Sequence, residues 1–429
     1  MKPINFRKYA HVILWLALIC TVALVCLFGG REELPKELPV TPSETVPDFL
    51  SGALPAPTVQ ETAARRELVG VWVPYMSLST PEHTRAAFEE NFRRILTSAK
   101  EKGVNALFVH VRPFCDALYP SALYPWSHIL TGTQGEDPGF DPLDFMVDAA
   151  HKAGLELHAW INPLRIKTGE TDIELAEDHP CKMLADEFPA YFMECDAGVY
   201  LNPAYSYVRS LIADGAAEIA EKYDVDGIHF DDYFYPTADE FIDSEAYAAY
   251  ADSVETPISL SEWRTANISA LVAEVYEKVK RADPDVVFGI SPQGNIENDA
   301  GMGADVTAWC GAEGYIDYIC PQLYYSFENE ALGFGDALAQ WAALEKHDTL
   351  QLYVGLALYK AGTDADGGTW KLSDTVIAEQ IEAARAARCS GVILYSADYL
   401  DAEQTAAEMQ NAAAVLAPVE GTESGAQYK

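Results

Sequence analysis

The sequence predicts a (β/α)8 barrel. Two observations carry that expectation. Between residues 67 and 417, eight short apolar runs rich in β-branched and aromatic residues alternate with eight amphipathic helical stretches. Three long segments also interrupt the alternation, and each follows a strand rather than a helix. Near-continuous apolar strands separated by helices mark a parallel sheet covered on both faces. Eight such units close most simply into a barrel.

A strand over 68–75 leads to a helix over 82–102, which Gly103 closes. A strand over 104–111 precedes a helix over 143–153 that ends at Gly154. Glycine just past a helical run is a stop signal. The later units pair strand 155–161 with helix 205–222, strand 225–230 with helix 264–282, and strand 286–291 with a short helix at 306–312. Strand 316–323 then pairs with helix 330–346, strand 350–358 with helix 373–388, and strand 391–396 with helix 401–416. The segments 112–140, 163–203 and 232–263 are longer than ordinary connections. All leave from the strand ends that carry active sites in this fold, and would wall a cleft. No internal repeat is visible.

Both ends read differently from the barrel. Lys2, Arg7 and Lys8 precede an apolar run over 12–28, which reads as a signal peptide or signal anchor over 1–30. No A-x-A cleavage site follows it, so an uncleaved anchor in the cytoplasmic membrane is favoured, with a cleaved signal as the second choice. The basic residues would stay in the cytoplasm and the rest of the chain would be exported. Residues 31–66 are rich in Pro, Glu and Thr and read as a tether; 418–429 reads as a frayed tail. Export permits disulfides. Of the eight cysteines, Cys181 and Cys195 share one loop and form the candidate pair, while Cys320 reads as a small buried hydrophobe. The net charge of −37 excludes a nucleic-acid partner and simple adsorption to anionic lipid.

The string Asp226-Gly227-Ile228-His229-Phe230-Asp231-Asp232-Tyr233-Phe234 ends the fourth strand in two carboxylates and aromatics. Strand side chains alternate, so Gly227, His229 and Asp231 share a face. By the same parity Phe108, His110 and Arg112 point one way on the second strand, and His158, Trp160 and Asn162 on the third. Tyr318, Cys320, Gln322 and Tyr324 do so on the sixth. The alternate residues are apolar and suit the helix-covered outside. Arg112, Asn162, Asp231, Gln322 and Tyr324 are therefore expected to converge at the mouth. A polar cluster there is costly unless hydrogen-bonded or used.

Three functions could use such a mouth. Glycoside hydrolysis needs two carboxylates flanking the bond. Asp231 faces inward and Asp232 follows it, so these are the catalytic candidates, with Glu297, Asp116 and Asp398 as further acid candidates. Arg112 would keep one carboxylate ionised. Asn162, His229 and Gln322 would bind sugar hydroxyls, Asp116 would bind substrate through its loop, and Trp126, Trp160, Tyr233, Tyr324 and Tyr325 would stack on sugar rings. No cofactor is required. The alternatives are a metal-dependent hydrolase using His110, His158, His229 and Asp231, and a carbohydrate-binding barrel without turnover. No G-x-S-x-G elbow or phosphate-binding glycine loop occurs.

Several segments carry a family resemblance. They are Gly70-Val71-Trp72-Val73, Val109-His110-Val111-Arg112-Pro113, Asp116-Ala117-Leu118-Tyr119, His158-Ala159-Trp160-Ile161-Asn162-Pro163, Asp226 through Tyr233, Ile290-Ser291-Pro292, Tyr318 through Tyr324, and Gly391-Val392. In this order they resemble the glycosyl hydrolase-like 10 family of bacterial envelope proteins. The resemblance implies a (β/α)8 barrel acting on glycosidic bonds, with some relatives linked to cell-wall glycan. The Asp226–Asp231 string is also similar to the fourth-strand motif of the α-amylase clan, where the last Asp is the nucleophile. That clan carries its acid as Glu at the end of the fifth strand. Here that place reads Ser291-Pro292-Gln293-Gly294, without a carboxylate.

Overall fold

Eight parallel strands close into a barrel in the order β1-β11-β10-β9-β8-β7-β3-β2. They are β1 (Leu68–Val73), β2 (Ala106–Arg112), β3 (Glu156–Ile161), β7 (Gly227–Phe230), β8 (Val287–Ile290), β9 (Tyr318–Ile319), β10 (Gln351–Leu356) and β11 (Gly391–Leu394). The computed structural model describes residues 66–170, 173–232 and 234–417. The expected signal or anchor, the tether up to residue 65, Tyr233 and the tail lie outside the described residues. Among the described residues no helix is long and apolar enough to cross a membrane.

The outer helices are α1 (Arg85–Glu101), α2 (Pro142–Ala153), α3 (Ser206–Lys222), α4 (Leu260–Ala282), α5 (Val306–Gly311), α6 (Phe334–Ala343), α7 (Val376–Ala386) and α8 (Ala406–Leu416). Local chemistry sets their ends. Asp141 caps α2 with Pro142 at its first position, and Gly154 closes it with φ 76°. Helix α4 starts four residues earlier than the apolar period indicates. There Ser259 and Glu262 form a capping box, a signal that periodicity alone does not use. Strand β9 is shorter than its apolar run because Pro321, two residues past its end, has no N–H to give a ladder.

The three long segments carry structure of their own. Residues 163–203 build an antiparallel sheet in the order β4-β6-β5, from β4 (Arg165–Thr168), β5 (Phe192–Cys195) and β6 (Gly198–Leu201). The segment after β2 holds a short helix, His128–Thr131, and the segment after β7 holds another, Ser244–Ser253. Cys181 sits on a separate short helix, Pro180–Leu184, and Cys195 ends β5. The two thiols are free, so the expected disulfide is corrected. Cys320 is fully buried in the barrel, as its apolar run implies.

One device recurs where the strands begin. The residue just before β2, Asn105, accepts the N–H of Val69 on β1 (2.9 Å). Asp226, just before β7, accepts that of Leu157 on β3 (2.7 Å). Asp317, just before β9, accepts that of Phe288 on β8 (2.7 Å). Each ties neighbouring strands together at the N-terminal face, which in this fold serves stability. Asp226, the first residue of the fourth-strand string, is thus structural, and His151 binds the same carboxylate (2.9 Å).

The interior is unusually aromatic. Trp72, Phe108, Trp160, Tyr318 and Tyr353 pack there with Leu68, Ala106, Cys320 and Ile393. His158 stacks on Phe108 at 4.4 Å, and His110 on Trp160 at 3.8 Å. Eight strands enclose little more space than their own side chains need, so neighbouring strands supply glycines. A Cβ at Gly70 would meet Phe108, at Gly227 His158, at Gly289 Tyr318, and at Gly355 Trp72. Overpacking a filled core costs roughly 1–3 kcal/mol. Replacing Gly289 with Ala should therefore lower stability by about that amount in urea denaturation. An unchanged midpoint would show that the interior has slack.

Candidate active site at the barrel mouth

Asp231 directly follows β7 and is 3% exposed. Its Oδ2 accepts the indole N–H of Trp160 (2.9 Å) and the side-chain N–H of Asn162 in a short contact. Both donors come from β3 or the residue after it, the strand paired with β7. Two N–H donors on one oxygen suit an acceptor-only carboxylate. Asp232, the next residue, turns the other way. Its Oδ1 accepts from Gln322 Nε2 (3.2 Å), and the same amide donates to the Ser291 carbonyl (3.0 Å). Gln322 lies past β9, bridged to Gln293 on one side and Gly355 on the other. The two carboxyls thus lean toward opposite flanks, one to β3 and one to the strands beyond β8. Burial pushes the Asp232 carboxyl up, and its bond from Gln322, its own backbone and Arg165 pull it back.

Rings surround this pair. Tyr324 lies edge-on to Trp72 (6.5 Å) and beside Tyr359 (6.0 Å) and Tyr395 (5.8 Å). Tyr324 and Tyr395 are half-buried, so each keeps a solvent-facing part over the core. Tyr325 is half-buried against Gly294, whose missing side chain makes room for its ring.

Arg112 does not reach the mouth. The register between β2 and β3 shifts between His110 and Arg112, so Arg112 stands opposite Ile161 rather than Asn162. Such a bulge reverses side-chain parity. The Arg112 guanidinium lies outside the barrel over the Tyr124 ring (4.4 Å), in the space left by Gly215 on α3. The cation near Asp232 is instead Arg165, the first residue of β4. Arg165 donates to the Pro113 carbonyl (3.0 Å) and lies over Phe114 (4.8 Å). Sequence parity could not find it, because it belongs to an insertion rather than to a barrel strand.

Other candidates also move. His229 is fully buried. Its Nε2 accepts from Trp72 Nε1 (3.0 Å) and its Nδ1 pairs with the Tyr318 hydroxyl (2.9 Å). Both ring nitrogens are engaged, so it neither binds sugar hydroxyls nor ligates a metal. Burial holds it well below the usual imidazole range, and His158 adds to the shift. His158 lies lower, against Gly227, and His110 lies flat on Trp160. The His229 nitrogens are engaged and the three histidines form no ligand set with Asp231, so the metal-hydrolase alternative is corrected. Among the described residues no cluster of three or more His, Cys, Asp or Glu side chains is arranged to hold a metal ion.

Asp116 is wholly buried, holds Gln134 (3.1 Å) and lies 3.6 Å from His128, so it orders its loop rather than meeting substrate. Trp160 has one face covered by His110 and its N–H given to Asp231, so it positions a carboxylate rather than offering a platform. Trp126 is half-buried on the first loop, bridged to Ala117. Glu297 is exposed in the first turn of the short helix Ile296–Gly301. Asp398 is exposed and accepts from Ser77 (2.8 Å). Asp299, two residues beyond Glu297 and unremarked in the sequence, is the buried carboxyl of that segment.

A closed (β/α)8 barrel with carboxyls and tyrosines at its C-terminal mouth defines the class of scaffold, and comparison with known proteins narrows it. The profile of the glycosyl hydrolase-like 10 family matches residues 67–369. The chain belongs to that family. It is 36% identical over 335 residues to "Glycosyl hydrolase YngK" of Bacillus subtilis (strain 168), covering 72% of this chain and 64% of that one. The chain therefore spans under two thirds of that relative's length. It is also 31% identical over 424 residues to "Glycosyl hydrolase DigH" of Escherichia coli (strain K12), covering 90% of this chain and 93% of that one. Among solved structures, the catalytic domain of β-amylase from Paenibacillus polymyxa superposes with a TM-score of 0.53 at 12% identity, over 82% of this chain and 99% of that one. The endo-1,4-β-mannanase of Rhizomucor miehei gives 0.51 at 12% identity, over 82% and 95%. These likenesses establish the fold.

If Arg165 is the cation that acts on Asp232, changing Arg165 to Gln should raise the pH at which the Asp232 carboxyl titrates by NMR. Changing Arg112 to Gln should leave it in place, because that guanidinium lies outside the barrel. The reverse pattern would return Arg112 to the mouth.

Proposed function

We propose that the protein is a glycoside hydrolase acting on O-glycosidic bonds of a polysaccharide, with bacterial cell-wall glycan as the substrate class. The observation that carries the reading is the divergent carboxyl pair. Asp231 is fixed by Trp160 and Asn162, while Asp232 is held by Gln322 on the other flank. Hydrolysis of a glycosidic bond needs one carboxylate to stabilise positive charge at the anomeric carbon and one carboxylic acid to protonate the leaving oxygen. Asp231 takes the first role, as nucleophile or charge-stabilising group. Asp232 takes the second, and burial favours its protonated form. Half-buried Tyr324 and Tyr325 support sugar binding beside the pair. Membership in a glycosyl hydrolase-like family supports the same reaction class.

The charged and apolar N-terminal segment supports export with tethering to the cytoplasmic membrane, and the barrel then faces extracytoplasmic glycan. Full-length protein should fractionate with membranes; recovery wholly in the cytosol would contradict the tether.

Purified barrel should release reducing ends from glycan strands. Asp231→Asn and Asp232→Asn should each lower the rate on the order of 10²–10⁴-fold while the fold is retained by circular dichroism. Wild-type turnover in both variants would remove the assignment. Glycan binding with no Asp231-dependent product would leave a binding barrel in its place.

A further inference from the structure

A row of tyrosines runs along one flank of the mouth. It starts beside the Asp232 clasp, because Tyr324 lies two residues past Gln322, whose amide holds that carboxyl. Tyr324 and Tyr395 pack against the barrel core. Tyr359 meets both, at 6.0 and 5.9 Å between ring centres. Tyr399 meets Tyr359 at 6.2 Å. Tyr359 follows β10 and Tyr399 follows β11, each on a single helical turn, Leu358–Lys360 and Ala397–Tyr399. Both rings are half-buried. Among the described residues their hydroxyls meet no hydrogen-bond partner, and neither is a buried unpaired oxygen, so both face solvent.

The backbone beneath these rings is held by side chains. Lys360 Nζ donates to the Tyr324 carbonyl (2.7 Å), and Gln380 Nε2 on α7 donates to the Tyr325 carbonyl (2.8 Å). The Ser326 N–H and the Trp370 indole N–H both donate to Asp366 Oδ2 (2.9 and 3.0 Å). Lys360 pairs with Asp366 (3.1 Å). Three consecutive residues past β9 are thus tied to the segment that carries Tyr359. Tyr359 itself donates its N–H to the Tyr395 carbonyl (3.1 Å) and accepts from Gln404 Nε2 (2.9 Å). A surface fixed before its ligand arrives loses little ordering entropy on binding.

We propose that Tyr359 and Tyr399 form a further sugar-binding subsite, continuous with Tyr324, that extends the mouth along the β10–β11 flank. The proposal rests on the hydrolase reading above and deepens it: the substrate is a glycan strand long enough to pass the carboxyl pair and reach Tyr399. A tyrosine offers a flat apolar face to a sugar ring and a hydroxyl to the sugar's own hydroxyls. The hydroxyls of Tyr359 and Tyr399 are not spent within the protein. The net charge of −37 disfavours an anionic occupant, whereas a neutral sugar ring meets no such penalty.

The test is calorimetry on the full chain carrying Asp231→Asn, with a disaccharide and a hexasaccharide of bacterial cell-wall glycan. The hexasaccharide should bind more tightly. Adding Tyr399→Ala should cut that advantage about tenfold, the scale of one lost stacking contact. Tyr399→Phe should keep most of it, because the ring face remains. An advantage that Tyr399→Ala leaves intact overturns the subsite, and so does the lack of any advantage in the parent chain. Tyrosine-ring NMR of the chain with Tyr399 in place does not depend on how a variant folds. The hexasaccharide should shift the Tyr399 ring signals and the disaccharide should leave them in place; signals unmoved by saturating hexasaccharide also overturn it. If the subsite alone fails, the wild-type chain still releases reducing ends. If the hydrolase reading alone fails, the hexasaccharide binds through Tyr399 and is not cleaved.

Discussion

The grip of β3 on Asp231 is the interaction on which the site depends. Trp160 and its near neighbour Asn162 both reach the same oxygen, one through an indole N–H and one through an amide. Strand pairing makes this possible, because Trp160 stands opposite His229 and Asn162 lies beyond the last paired residue. The grip in turn needs a Trp160 ring that cannot turn. His110 stacked at 3.8 Å supplies that restraint. A hydrogen-bond donor locked by packing costs little reorganisation when charge develops nearby.

Below this layer the barrel is filled by rings rather than by branched aliphatic side chains. Trp72 donates to His229, and His229 meets Tyr318. The column carries buried polar atoms through the interior by pairing them, which is what buried polar groups require. Glycines on neighbouring strands give the rings their space. The strand ties and the candidate site thereby lie at opposite ends of the barrel axis. Asn105, Asp226 and Asp317 tie strands at one face, while carboxyls and tyrosines collect at the other.

Much of this was legible in the sequence. Eight apolar runs gave eight strands, and two-residue alternation placed His229, Trp160, Tyr318 and Asp231 on the inner side. Alternation failed at Arg112, because a bulge adds one residue to β2 and no sequence pattern announces it. It also could not anticipate that His229 would have both nitrogens engaged, since its partners come from β1 and β9. Arg165 and Asp299 escaped for a different reason. Both lie in connecting segments, where periodicity gives no orientation and burial is decided by tertiary contacts. Family resemblance was carried by strand ends, which are also the parts that alternation reads well.

The acidic chain places its ionisable groups selectively. Most of its 66 Asp and Glu residues can remain solvated, whereas Asp231 and Asp299 are enclosed and each is held by specific donors. A crystal structure of Asp231→Asn soaked with a glycan oligosaccharide tests the central claim most directly. One sugar ring should lie in the mouth beside Tyr324, with its glycosidic oxygen within hydrogen-bond reach of Asp232 and its anomeric carbon facing residue 231. An oligosaccharide bound elsewhere on the barrel, with both side chains untouched, would contradict the account.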